Sequence, residues 1–186
     1  MIHSDYIGVV WKTSRLAKVK IFCAAASAAG EKYASPQVTT AIGHEGVYFL
    51  MLGTRHLPYD CVSINVTAVF PKIAIHYRVT KYIASIRVNE TYNGVALIHK
   101  DVRGVESTIE WIKNESGRRE ETQVLYTEKE NRCFVLFYTD TSDYELWVNT
   151  NETNFLPRCC EFAFEFVTYE VPTYINFNYT ICKRVV

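Results

Sequence analysis

Six cysteines, at positions 23, 61, 133, 159, 160 and 182, are the residues of this chain best placed to do covalent chemistry. In an oxidising compartment such thiols become cross-links rather than exposed nucleophiles. Asn-x-Ser/Thr acceptors at Asn65, Asn89, Asn114, Asn151 and Asn178 point to the same compartment, since each is a site for an N-linked glycan on the secretory route. Catalytic patterns are missing. The sequence has no His-Glu-x-x-His, no Gly-x-Ser-x-Gly and no glycine loop to cradle phosphate, and His3, His44, His56, His76 and His99 lack the spacing of a zinc site. No enzyme, no cofactor and no metal is expected.

The N-terminus agrees with export. Lys12, Arg15, Lys18 and Lys20 precede a short apolar run from Ile21 to Ala29 that ends in small residues, the layout of a signal segment over residues 1–29. The mature chain would then be residues 30–186, one domain, with no apolar stretch of the roughly 18 residues that span a bilayer. Lys plus Arg and Asp plus Glu both total 20, so no net field draws the chain to nucleic acid or an anionic membrane. At 48% hydrophobic, 186 residues are enough to bury a substantial core.

The elements that must position any site are strands. From Gly46 onward apolar and polar residues alternate over short runs separated by turns. Val47, Phe49 and Met51 share one face of a first strand. Cys61 to Ala68 alternates next, then Ile73, Ile75, Tyr77 and Val79. Further runs cover Tyr82 to Val88, Val95 to His99, Ser107 to Lys113, Thr122 to Thr127, Cys133 to Thr139 and Tyr144 to Asn149. Almost no helical period separates them, so the pattern is all-β and antiparallel, a meander rather than βαβ units. Closing such a meander into an up-and-down barrel removes its edges, and about eight strands leave room for one small ligand. One segment breaks the alternation. Asn154 and Pro157 can open a helix that puts Cys160, Phe164 and Val167 on one face, although Phe162, Phe164 and Phe166 also alternate as a strand would.

The tail resembles a known family. The cysteine spacing of Arg132-Cys133-Phe134, Pro157-Arg158-Cys159-Cys160 and Cys182, together with the Glu145-Leu146-Trp147 tripeptide, is similar to the tick salivary lipocalins, or histamine-binding family. The resemblance spans roughly residues 46–182 and is specific in the last third. It implies a lipocalin-like eight-stranded antiparallel up-and-down barrel with a C-terminal helix packed outside, then a strand from Tyr174 to Cys182. It also implies disulfides joining Cys61 to Cys182 and Cys133 to Cys160, with Cys159 left over to stay as a buried free thiol, to pair in place of Cys160 or to link two molecules.

The resemblance further implies an amine held inside the barrel by carboxylates and aromatic rings, the chemistry a dehydrated ammonium requires. This chain keeps the acid of the Glu-Leu-Trp stretch as Glu145. It departs from the pattern at Phe134, where the family's amine binders have Asp, and at Arg55-His56-Leu57-Pro58, where they supply another acid. The alternation also allows Tyr144, Leu146 and Val148 inside with Glu145 in solvent, but a Trp is rarely left in water, so Trp147 favours an inward Glu145–Trp147 pair with those three outward. Phe49, Met51, Tyr77, Trp111, Phe134, Leu136 and Tyr138 are large alternating residues that can line the interior or simply fill it, and Glu110 and Arg87 are strand charges of undecided direction.

The function these features imply is a secreted, salivary, monomeric lipocalin that sequesters a small host inflammatory mediator and blunts host defence. The mediator is a biogenic amine such as histamine or serotonin by resemblance. The lost acids and aromatic walls suit a lipid mediator, such as a leukotriene or fatty-acid derivative, as an alternative. A loop-mediated binder of a host complement or immune protein is another, and an extracellular protein with no specific ligand the last.

Overall fold

The computed structural model describes residues 41–100, 104–128, 132–150 and 156–185. Eight antiparallel strands run in chain order: β1 (Gly46–Gly53), β2 (Cys61–Phe70), β3 (Ala74–Ile83), β4 (Val88–Lys100), β5 (Glu106–Lys113), β6 (Arg119–Thr127), β7 (Cys133–Tyr138) and β8 (Tyr144–Asn149). Each pairs with the next, and β1 pairs with both β2 and β8, so the sheet closes into a barrel. After the ring come helix α1 (Arg158–Val167), the two-residue strand β9 (Tyr174–Ile175) and helix α2 (Tyr179–Val185). No helix among the described residues is long and apolar enough to cross a membrane. The signal segment expected over 1–29, the cap expected at Asn154 and the acceptor Asn151 lie outside the described residues.

Closure follows from alternation. In each strand every second side chain faces a common interior. Val62, Ile64 and Val66 of β2, Ile75, Tyr77 and Val79 of β3, Ala96 and Ile98 of β4, Ile109 and Trp111 of β5, and Phe134 and Leu136 of β7 merge into one buried cluster. Register shifts in β1, β2 and β6 bend those strands where the wall must curve. The expected strand from Tyr82 to Val88 does not exist as one element. Tyr82 and Ile83 end β3, a turn follows with Arg87 at φ 52°, and Val88 starts β4. Ile73 likewise sits in a turn and is exposed. Glu110 points outward, where it meets His99 at 3.2 Å and Arg119 at 2.6 Å.

Two layers cover the barrel from outside. Helix α1 buries Cys160, Ala163 and Phe164 against Val135 of β7 and Tyr144, Leu146 and Val148 of β8. Pro157 starts it and the Thr168 hydroxyl closes it by donating to the Phe164 carbonyl at 2.9 Å. Helix wins over strand here because β7 and β8 are each already paired on both sides, while their apolar outer face is left to cover. A disulfide joins Cys133 of β7 to Cys160 of α1, with Cα atoms 6.3 Å apart, and Cys159 is free and half-buried.

The second layer is the tail. Ile175 and Tyr174 pair with Leu52 and Gly53, the Asn176 amide donates to the Met51 carbonyl at 3.0 Å, and a second disulfide joins Cys61 to Cys182. The expected strand from Tyr174 to Cys182 is corrected to this short β9 followed by α2. Asn178 ends the extended path, its side chain accepting from the Ile181 amide, and Cys182 reaches the wall from a helical turn. Asn89, Asn114 and Asn178 are exposed and Asn65 is half-buried.

The tail crosslink closes a loop with a sequence separation of 121 residues. In the chain-entropy picture, replacing both Cys61 and Cys182 with Ala lowers the unfolding free energy by about 2–5 kcal/mol, to be read from guanidinium titration against the native protein. Equal midpoints would refute that.

Candidate functional site inside the barrel

An up-and-down ring puts the β1–β2, β3–β4, β5–β6 and β7–β8 connections at one end, here called the upper end. The two ends differ in chemistry. Lower interior positions such as Ile75, Ala96, Ile109, Val124 and Leu136 are apolar and sealed. Toward the upper end the inward parity passes to Lys81 and Ile83 in β3, Tyr92 in β4, Lys113 in β5, Glu120 in β6, Tyr138 in β7 and Glu145 in β8, most of them half-buried.

Glu145 is the most enclosed of these charges, 5% exposed. The Trp147 indole N–H donates to its Oε2 at 3.0 Å, and the Tyr138 hydroxyl also hydrogen-bonds it. Both partners are two residues away on the pleat or on the neighbouring strand, which is why alternation delivers them to one face. Among the described residues its one ion-pair contact is the guanidinium of Arg55, a long 3.8 Å from Oε1, on a side chain half in solvent. Thr54 orients that loop: its hydroxyl donates to Asp143 at 3.2 Å and accepts from the Tyr144 amide at 2.9 Å. Burial raises the pKa of Glu145 above the ordinary carboxylate value. The hydrogen bonds from Tyr138 and Trp147, and the charge of Arg55, recover only part of that. The same burial, with Glu145 beside it, pushes the Tyr138 phenol up.

Aromatic rings form the middle of the interior. Phe134 stacks on Trp147 with centroids 6.4 Å apart, and Tyr48 meets Phe134 edge-on at 5.2 Å. Across the barrel Tyr77 meets Trp111 edge-on at 5.1 Å, and the Trp111 indole N–H is satisfied by the Thr122 hydroxyl at 2.8 Å. Gly94 makes room for this. A Cβ there would run into the Tyr77 ring and the Ile112 carbonyl. The Tyr92 phenol, held above the usual range at about 12 by burial and then by the charges of Glu120 and Glu145, stands nearer the upper end.

The interior therefore gathers Glu145, Trp147, Tyr77, Trp111, Phe134, Leu136 and Tyr138. Phe49 and Met51 belong elsewhere, and the parity expected of the first strand is one residue out. Tyr48 and Leu50 face inward, while Phe49 packs outside with Phe177 at 5.4 Å and the Cys61–Cys182 bridge, with Met51 beside it. Both faces of β1 are covered, so size and alternation do not distinguish them. Lys81, Tyr92, Glu120, Arg55 and Tyr59 went unnoticed as site residues. Parity from Tyr77 and Val79 along β3 would have reached Lys81, had a charged residue been admitted to an interior face.

Glu128, Cys133 and Cys160 form a cluster of metal-ligand type among the described residues, but its two sulfurs are joined in the disulfide. The arrangement that remains is a set of inward charged and phenolic groups at the upper end, above closely packed aromatic rings.

The model of the tick histamine-binding protein family matches residues 30–184. The chain belongs to that family. Its fold is also seen in a crystal structure of AM182 in complex with serotonin, at TM-score 0.61 and 17% identity over 82% of this chain and 96% of that one. Japanin from Rhipicephalus appendiculatus, bound to cholesterol, superposes at TM-score 0.54 with 10% identity over 75% of this chain and 95% of its own. No curated protein sequence matches the chain. Family and fold are those of lipocalins that bind small molecules.

Because the folded-state pKa of Glu145 is raised, the stability it confers is complete below the ordinary carboxylate value of 4.5 and is lost as pH rises through the higher folded value. Thermal unfolding of Glu145→Gln should therefore match the native protein at acid pH and exceed it toward neutral pH. A native protein that gains stability relative to the variant over that rise would contradict the assignment.

Proposed function

We propose that the protein is a secreted scavenger that holds a small host mediator carrying an ammonium group, a biogenic amine such as histamine or serotonin, in the upper interior of the barrel, and so withdraws it from the host's inflammatory response. The observation that carries this reading is the enclosed carboxylate of Glu145. A buried carboxylate with no cation at close range is costly, and an ammonium brought to it would exchange a long contact with Arg55 for a short one. The Trp147, Phe134 and Tyr138 rings supply faces for such a cation. Glu120 adds a second inward carboxylate, so the acid that Phe134 replaces is partly made up from another strand. Membership of the histamine-binding family and the serotonin complex of AM182 support the same class of ligand. Export is supported by two disulfides, the leader-like sequence and exposed glycan acceptors.

A lipid mediator with a carboxylate headgroup is the second reading. It is favoured by the ammonium of Lys81, which stands in the same interior, above an apolar lower end that suits an acyl chain.

Calorimetry with histamine and serotonin is expected to show binding of at least one, followed by quenching of tryptophan fluorescence. Glu145→Gln, which keeps the hydrogen-bonding shape but removes the charge, should weaken that binding about tenfold or more. An unchanged affinity in the variant would sink the role of Glu145. No binding of amines or leukotrienes by the native protein would reject the reading as a whole.

A further inference from the structure

The upper interior holds a cation as well as an acid. Lys81 follows Ile75, Tyr77 and Val79 on the inward face of β3, and its Nζ lies 5.0 Å from the ring centroid of Tyr59 and 5.6 Å from that of Tyr92. Lys113, from β5, sits over the other approach to Tyr92 at 4.4 Å. Among the described residues no carboxylate comes within ion-pair distance of the Lys81 ammonium. The acids whose charges reach it, Glu120 and Glu90, are engaged elsewhere: Glu120 with Arg118 at 3.0 Å and Glu90 with the Tyr59 hydroxyl at 3.1 Å. Arg55 and Glu145 act on it more weakly, with opposite signs. Burial lowers the Lys81 pKa more than these acids restore it, so the ammonium is held in a place that does not favour it. Ring faces supply only part of what water and a counter-ion would.

Strands β3 and β8 stand three places apart around an eight-stranded ring, so Lys81 and Glu145 face the shared interior from separate walls. We propose that these two residues are opposite poles of one site, and that the ligand is a zwitterion: a small aromatic molecule bearing both an ammonium, taken by Glu145, and a carboxylate, taken by Lys81. The inference rests on the barrel interior being the ligand site and narrows the class of ligand. A simple amine satisfies Glu145 and leaves Lys81 without an anion. A simple acid does the reverse. A molecule of amino-acid type leaves neither charge unpaired and adds no net charge to the interior. The Tyr59 and Tyr92 rings hold the Lys81 ammonium ready in the meantime, and the Tyr77–Trp111 pair beneath offers a surface for the ligand's ring.

Three probes sharing one ring separate the possibilities on the full disulfide-bonded protein: serotonin with the ammonium alone, 5-hydroxytryptophan with both charges, and 5-hydroxyindole-3-acetic acid with the carboxylate alone. Calorimetry should show 5-hydroxytryptophan binding about tenfold or more tightly than either of the others, the margin expected when a ligand pairs an otherwise lone buried charge. Lys81→Met keeps the aliphatic stem and should erase that margin, read as the ratio of the 5-hydroxytryptophan and serotonin affinities of the same variant. Lys81→Arg should retain it, and circular dichroism of both variants verifies the fold. Serotonin binding as tightly as 5-hydroxytryptophan, or a margin that survives Lys81→Met, would overturn the two-pole site and leave the amine scavenger standing. Failure of all three probes to bind would overturn the two-pole site, and histamine binding in the same assay would leave the amine scavenger standing.

Discussion

Closing eight strands into a ring gives every strand one face toward a single shared interior, and the rest of the molecule is arranged around that constraint. Because β1 pairs with both β2 and β8 the ring is closed; β9 takes up the end of β1 beyond its pairing with β2, and the two helices cover the outside. Helix α1 lies on β7 and β8, and the tail lies on β1 and β2. Each cover is tied to the wall by one disulfide, Cys133–Cys160 and Cys61–Cys182. The crosslinks fasten the outer layers and leave the interior free of covalent constraint.

The double covering explains which residues sequence alone could and could not place. Along most of β3 and β4 the outer face meets water, so polarity alternates and the interior members are read off directly. In β1 and β8 the outer face is buried as well. Tyr144, Leu146 and Val148 lie under α1, while Glu145 and Trp147 face inward. Phe49 lies beside the tail disulfide, while the equally apolar Tyr48 and Leu50 face inward. In β8 the position of Trp147 supplied the direction. In β1 no comparable residue existed, and the parity came out reversed.

The electrostatics of the upper end follow from the same geometry. Inward positions there are occupied by both signs: Glu145 and Glu120 against Lys81 and Lys113, with Arg55 reaching over from the β1–β2 loop. Below them sit aromatic rings and then aliphatic side chains. An interior that is polar at one end and apolar at the other orients an amphipathic guest. In the proposed two-pole site, mixed sign would make it selective for the distribution of charge on that guest and not only for its total.

The sequence by itself determined that the chain is a cysteine-bearing antiparallel β-meander, because alternation and turns are local patterns that survive without coordinates; between helix and strand after Pro157 its residues left the choice open, and the family resemblance favoured the helix. Its resemblance in the last third carried the family, which the match over residues 30–184 establishes for most of the chain. Only the tertiary structure decided the rest. It showed that the tail from Tyr174 to Cys182 is a two-residue strand and a helical turn, since Asn178 redirects the backbone into a cap. It also showed that Lys81 and Glu120 share the interior with Glu145, since residues 25 to 64 positions apart in the chain become neighbours only once the ring is closed.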